Sequence, residues 1–305
     1  CTNATATVTA TVNQGPDAGS NGTATVCADL ASIDLFPLLG GTPDVGGTWV
    51  ATNSTGHLTG STFTPPGLPP GTYDFTYTVD GIGLCAADVS TVQVIIVPAL
   101  NAGTNGALNV CRTNASVDLF TGLTGSPQTG GTWADLSATG ALSGQIFNAT
   151  MVTAGTYTFN YTLAGTPSCA ASSAQVSVTV NSAPNAGQNG STTTCSNSAA
   201  FNMLPFLGGS PQGGGDWFRG AVAHGASYDP AVDISGTFTY RVLGAGPCAN
   251  ATATLTVTEV IAPNAGTSAN TSVCSNSTQF NMTSRLGGTP QAGTWSFNSQ
   301  PHGPL

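Results

Sequence analysis

The stretch Gly71-Thr-Tyr-Asp-Phe-Thr-Tyr-Thr-Val79 decides the fold of this chain. Tyr73, Phe75, Tyr77 and Val79 alternate with Asp74, Thr76 and Thr78, the two-residue period of a strand with one buried face. The pattern returns with Tyr157, Phe159, Tyr161 and Leu163, and again with Phe238, Tyr240 and Val242. Downstream lies the turn Asp80-Gly81-Ile82-Gly83 and then a last strand carrying Val92, Val94 and Ile96 on one side. Upstream, Thr23–Val26, Ser32–Leu39, Gly46–Val50 and Ser61–Thr64 read as strands, separated by breakers such as Gly40-Gly41-Thr42-Pro43 and Pro65-Pro66. No segment carries a helical period, so the chain is expected to be all-β.

The same frame occurs four times. Its first cysteines are Cys27, Cys111, Cys195 and Cys274, spaced 84, 84 and 79 residues apart, and its second cysteines are Cys1, Cys85, Cys169 and Cys248. One tryptophan falls in each copy: Trp49, Trp133, Trp217 and Trp295. A period near 80 residues is too long for a solenoid turn and suits a small β-sandwich. The reading is therefore 16–99, 100–183 and 184–262 as complete repeats, 1–15 as the C-terminal end of a preceding one, and 263–305 as the N-terminal part of another. Cys1-Thr-Asn-Ala-Thr-Ala-Thr-Val matches Cys248-Ala-Asn-Ala-Thr-Ala-Thr-Leu inside a repeat, so the chain is expected to be a window on a longer protein. The Trp residues are placed in the core with Tyr73, Tyr157 and Phe238. Gly-Thr-Tyr at 71–73 and 155–157 resembles the tyrosine corner of Ig-type domains, and Gly-Thr-Phe238 takes its place in the third copy without the hydroxyl.

Charge narrows the function. The chain has four Lys or Arg residues, all Arg, against 13 acidic ones, for a net charge of −9. Phosphate binding needs basic clusters, so nucleic acid is excluded as a partner, and no apolar run approaches the length of a membrane helix. Absence of Lys also excludes Lys–Asn isopeptide staples. Eight evenly placed cysteines without any CxxC pair point to disulfides in an oxidising compartment, not to zinc.

A disulfide closing a loop of this size would add roughly 3–5 kcal/mol, comparable to the whole stability of a small domain. Pairing within a repeat (Cys27–Cys85, Cys111–Cys169 and Cys195–Cys248) is favoured, leaving Cys1 and Cys274 to partners outside the chain. It is easy if each repeat has six strands, which puts both cysteines at one pole. Seven strands would put them at opposite poles and make a bond to a neighbour, such as Cys27–Cys169, possible. Pairing across the boundary, as Cys85–Cys111, has a constant separation too.

No catalytic set recurs. His57, His224 and His302 follow their Trp by seven or eight residues in glycine-rich stretches, with Ala141 at that place in the second copy, and read as loop histidines. Asp34 and Asp118 alternate with Asn202 and Asn281. Calcium between repeats is one reading, but it wants several oxygen ligands together. A side chain bonding the backbone at a strand end explains the exchange more simply. Asn-x-Thr triplets such as Asn148-Ala-Thr150 arise readily in so Asn- and Thr-rich a chain.

The combined frame, Pro-Asn-Ala-Gly, Cys, Asp-Leu-Phe, Leu-Gly-Gly-x-Pro, Gly-Gly-Thr-Trp, Gly-Thr-Tyr-x-Phe-x-Tyr and Pro-x-Cys-Ala, resembles the Ig-like tandem repeats of giant Bacteroidota surface proteins. These include SprB-type gliding-motility adhesins and other type 9 secretion substrates. The resemblance implies an elongated rod of Ig-like sandwiches in an extracellular filament attached to the outer membrane. It implies a stalk without catalytic residues or cofactor, whose partners are neighbouring repeats, an anchoring or motility machinery, and external surfaces or glycans. A glycan-binding array and a self-assembling sheath are the alternatives, and an enzyme is not expected.

Overall fold

The computed structural model describes residues 2–53 and 56–302, with His302 by its backbone alone, so Cys1 and the His302 side chain lie outside the described residues. The chain divides into two compact units, Cys1–Val180 and Asn181–Leu305.

The first unit holds two sandwiches. In the first repeat the strands are β1 (Gly22–Cys27), β2 (Ile33–Asp34), β3 (Thr48–Ala51), β4 (Leu58–Thr59), β5 (Thr62–Phe63), β6 (Gly71–Val79) and β7 (Asp88–Val97). One sheet has the order β1-β7-β6-β3 and the other β2-β5-β4. β1 runs parallel to β7, and the remaining neighbours are antiparallel. Seven strands in this order make an Ig-like sandwich whose first strand has joined the sheet of the last. The second repeat reproduces it with β8 (Gly106–Cys111), β9 (Val117–Asp118), β10 (Thr132–Asp135), β11 (Leu142–Ser143), β12 (Ile146–Phe147), β13 (Gly155–Leu163) and β14 (Ser172–Asn181), in sheets β10-β13-β14-β8 and β11-β12-β9.

The second unit holds the third repeat: β15 (Gly190–Cys195), β16 (Phe201–Asn202), β17 (Asp216–Arg219), β18 (Val222–His224), β19 (Ser227–Tyr228), β20 (Gly236–Val242) and β21 (Ala251–Val260). Here the fourth strand changes sides. β18 pairs with β17 at the edge of the sheet β15-β21-β20-β17-β18, leaving β16-β19 as the opposite sheet. Beyond it, β22 (Trp295–Phe297) and β23 (Gln300–His302) form a hairpin.

The alternation that announces β6 and β13 is realised as burial. Phe75, Phe159 and Phe238 are fully buried, each facing a buried aliphatic on the last strand: Val92, Val176 and Leu255. Ser32–Leu39, expected as one strand, is a strand only over Ile33–Asp34 and then a 3-10 turn over Phe36–Leu38. The Asp34 carboxylate accepts the Phe36 N–H at 3.2 Å, and Pro37 has no N–H for a ladder. Asp118, Asn202 and Asn281 repeat the cap, accepting from Phe120, Leu204 and Thr283 at 3.0, 3.0 and 2.8 Å. Only Oδ1 is used each time, which is why Asp and Asn exchange there.

Two other expectations change. Trp49 and Trp133 sit half-buried on the outer strand of the larger sheet, Trp217 is 3% exposed on β17, inside the edge strand β18, and Trp295 is half-buried in the β22-β23 hairpin. In the first two repeats the middle belongs to the Phe and second Tyr of β6 and β13. Tyr73 and Tyr157 do form tyrosine corners, donating to the Pro69 and Thr153 carbonyls at 2.8 Å in both cases. Phe238 is not their counterpart. It aligns with Phe75 and Phe159, because Tyr240 makes the bonds of Tyr77 and Tyr161, and Gly236 therefore holds the corner position.

Candidate functional site

What recurs with full geometry is the way each repeat is closed and joined to the next. It starts at the linker. Asp17, Asn101, Asn185 and Asn264 each accept the N–H of the glycine two residues on, at 2.8, 2.8, 2.9 and 2.8 Å. Asn101 also donates from Nδ2 to the Gly125 and Ser126 carbonyls at 2.9 and 3.2 Å, and Asn185 does the same to Gly209 and Ser210 at 3.2 and 3.0 Å. The alanine between is fully buried at Ala18, Ala102 and Ala186. Gly103 has φ +85°, and a Cβ there would meet the Thr124 carbonyl oxygen at 2.5 Å, so glycine is required. The Asn-Ala-Gly segment is thus tied to the Leu-Gly-Gly-x-Pro loop and is no free tether. Only Pro98, Ala99 and Leu100 separate β7 from Asn101.

A second recurring device escaped the sequence reading. Tyr77, Tyr161 and Tyr240 donate to the carbonyls of Asp44, Gln128 and Gln212 at 2.6, 2.7 and 2.6 Å. The same hydroxyls accept the N–H of Gly47, Gly131 and Gly215, each at 2.8 Å. Each ring also packs on its Trp, with centroids 4.9, 5.1 and 5.0 Å apart. A Cβ on Gly131 would lie 2.6 Å from Tyr161 Cζ, which explains the second glycine of Gly-Gly-Thr-Trp. The signal was present in the sequence as one Tyr per copy, 30 residues after that glycine in the first two copies and 25 in the third, but its partners are backbone atoms.

The cysteines complete the junction and overturn the favoured pairing. Cys27 is bonded to Cys169 of the following repeat, with Cα atoms 5.0 Å apart. Cys111 and Cys248 are also disulfide-bonded, whereas Cys85, Cys195 and Cys274 are free thiols. Cys27–Cys85, Cys111–Cys169 and Cys195–Cys248 are therefore not formed, nor is Cys85–Cys111. The reason is the strand count. Cys27 ends β1 opposite Val97, while Cys85 lies in the turn before β7, at the far end of a ten-residue strand. That strand spans roughly 33 Å, and a disulfide needs Cα atoms within about 7 Å. At the near pole, Cys169 Sγ sits 3.5 Å from the Pro98 carbonyl oxygen in the linker. Cys248 Sγ sits likewise 3.4 Å from that of Ser182.

The third repeat has a titratable corner of its own. His224 sits between the Asp233 carboxylate (Nε2, 2.9 Å) and the Gly225 carbonyl (Nδ1, 2.8 Å), and stacks edge-on to Phe238. Both partners are acceptors, so the arrangement suits the imidazolium. Burial alone would lower the His224 pKa, but the bonds to Asp233 and Gly225 outweigh it and raise it above the usual value. Asp233, raised by burial, is brought below the usual carboxylate range by the Asp229 N–H and His224. Burial and the Glu259 carboxylate, 2.9 Å away, push Tyr228 up to about 12. Neither His224 nitrogen is left to act as a base on substrate. The His57 Nδ1 lies 2.9 Å from the Thr64 carbonyl oxygen. An open groove of about 560 Å³ lies beside Trp49, lined by Phe36, Leu58, Ser61 and Tyr77 among others. Among the described residues no group of three or more His, Cys, Asp or Glu side chains is placed to hold a metal, and no helix is long and apolar enough to cross a membrane.

No family model matches the chain, and no curated protein does. Among solved structures, a three-domain I-band fragment of titin is 13% identical, with 82% of this chain and 100% of that one covered at a TM-score of 0.39. A Sidekick-1 fragment of immunoglobulin domains 1–5 is 15% identical, covering 82% and 60% at a TM-score of 0.30. The N-terminal four Ig domains of Dscam1 are 12% identical, covering 82% and 74% at 0.28. With these scores, the Ig-like reading rests on the strand order and registers described above.

Proposed function

We propose that the chain is part of the structural stalk of a long extracellular filament or adhesin, with 16–99, 100–183 and 184–262 as its complete repeats. The observation that carries this reading is the Cys27–Cys169 cystine, which joins one repeat to the next instead of closing either. A loop of this length adds about 5 kcal/mol in the chain-entropy model, and it runs through both sandwiches. Linkers tied down by Asn101 and Asn185 limit bending, and a chain with four Arg and no Lys offers few sites to basic-specific proteases. Disulfides suit an extracellular setting.

The resemblance of the repeat frame to giant Bacteroidota surface proteins supports type 9 secretion, outer-membrane attachment, and gliding motility or surface attachment as the use. Anchoring machinery and external surfaces or glycans are the partners this reading assigns to the protein beyond neighbouring repeats. The second reading is an array of glycan-binding modules using the groove beside Trp49. It is weakened by the third repeat, where β18 covers the equivalent Trp217. Two measurements test the proposal. Solution scattering is expected to give an extended particle with the cross-section of one sandwich, and a compact particle would overturn the stalk. On a glycan array no saturable binding is expected; one site per repeat would favour the array instead.

A further inference from the structure

The observed cystine joins the first cysteine of one repeat to the second cysteine of the next, and the local geometry of both partners is repeated where no bond is made. Every first cysteine starts the same turn: the carbonyls of Cys27, Cys111, Cys195 and Cys274 accept an N–H three residues on, at 3.1, 2.9, 3.0 and 3.0 Å. Cys27 and Cys195 also hold the same register on the last strand, opposite Val97 and Val260. The second cysteines Cys85, Cys169 and Cys248 each follow a glycine by four residues, and a Cβ on Gly81, Gly165 or Gly244 would run into the backbone of that turn.

Environment separates the bonded from the free. The four bonded cysteines are 3–9% exposed, whereas Cys85 is half-buried and Cys195 and Cys274 are exposed. Apolar side chains lie bare beside the free pair. Ile82 and Leu84 flank Cys85 at 60% and 106% exposure, and Val260 and Ile261 flank Cys195 at 51% and 77%. Residues 1–15 contain no first cysteine for Cys85, and residues 263–305 no second cysteine for Cys195.

We infer that Cys85 and Cys195 are the two unmatched halves of the same inter-repeat cystine, each opening on an apolar pole that takes a further repeat of this kind. In a preparation of this chain alone, that repeat is supplied by a second copy, head to tail. This deepens the stalk reading and rests on it. Glutathione disulfide serves as oxidant. The Cys85 thiolate attacks one of its sulfurs, forming a mixed disulfide and expelling one glutathione thiolate. Cys195 of the second copy then attacks the Cys85 sulfur, forming the Cys85–Cys195 bond and expelling the other. The two cysteine protons end on the two glutathione thiols, which carry the two electrons.

The test is incubation of the chain carrying C1S and C274S at rising concentration in a glutathione redox buffer, followed by non-reducing peptide mapping. Covalent multimers joined by Cys195–Cys85 are expected, well above the half share that random pairing of two equal thiols gives, with Cys27–Cys169 intact. C85S and C195S, at thiols outside the cores, should each abolish that linkage. Links in random proportion, homotypic links, or glutathione caps alone would overturn the inference. Such a failure would leave the scattering result untouched, so it is distinguishable from failure of the stalk itself.

Discussion

In the second repeat, Tyr157 closes the corner of its sandwich with one hydroxyl on the Thr153 carbonyl. In the third, Gly236 stands at that position and β20 is seven residues long where β13 has nine. The space is filled from elsewhere: Arg219 reaches the Ser235 carbonyl at 3.4 Å, and Tyr228, in the place of Phe147, extends its hydroxyl to Glu259, in the place of Val180. The fourth strand moves with it, from β11 on the smaller sheet to β18 beside Trp217, carrying His224 against Asp233. Yet the Tyr161 and Tyr240 knots and the Asn101 and Asn185 clamps are the same in both. The joining apparatus is held constant while the corner varies, as expected of a string selected for its junctions more than for any one module's surface.

Breaking the shared apparatus should hurt most. The double variant C27S/C169S is expected to lose up to about 5 kcal/mol from the unfolding of the first two repeats, read by chemical denaturation, and to leave the third repeat's transition in place. Gly131→Ala should cost the second repeat roughly 1–3 kcal/mol by driving a methyl into Tyr161, and Gly215→Ala the same in the third. Equal penalties would confirm that the knot is common to both. Tyr157→Phe should cost about 1 kcal/mol by removing the corner bond, measured as a shift of the second repeat's midpoint only.

The titratable corner gives a pH contrast. His224 has its folded pKa raised above its unfolded value, so its contribution is complete below about pH 6.5 and fades as pH rises through the folded value. Asp233 is depressed, so its contribution is complete above about pH 4 and is lost on acidification. Calorimetry from pH 5 to 9 should therefore show the third repeat's transition falling in alkali, and H224Q should flatten that fall. No comparable His-linked fall is expected of the second repeat, which contains no histidine. Asp118→Asn should be nearly neutral, since only Oδ1 caps Phe120.

Much of this was legible in the residues. Tyr73, Phe75 and Tyr77 alternate too regularly to be anything but a half-buried strand, and the Asp34/Asn202 exchange already pointed to a backbone cap. The cystine was not legible, because its topology turns on β4. Leu58–Thr59 is two residues long and too short to show any period, and without it both cysteines count to one pole. The corner was misplaced because Gly-Thr-Phe238 mimics Gly-Thr-Tyr157 two residues out of step. Counting back from Gly244 and Cys248 would have corrected it. The Tyr161 knot stayed hidden because backbone carbonyls and N–H groups leave no letter in the sequence.

The central claim is that the covalent unit of this chain is larger than its sandwich. Single-molecule extension, pulling from the two ends with and without reductant, tests it most directly. With the cystine intact, the 142-residue separation between Cys27 and Cys169 is withheld from the tensed path. Full extension should then fall short of the reduced chain by at least about 500 Å. Equal extension in the two states would contradict the account.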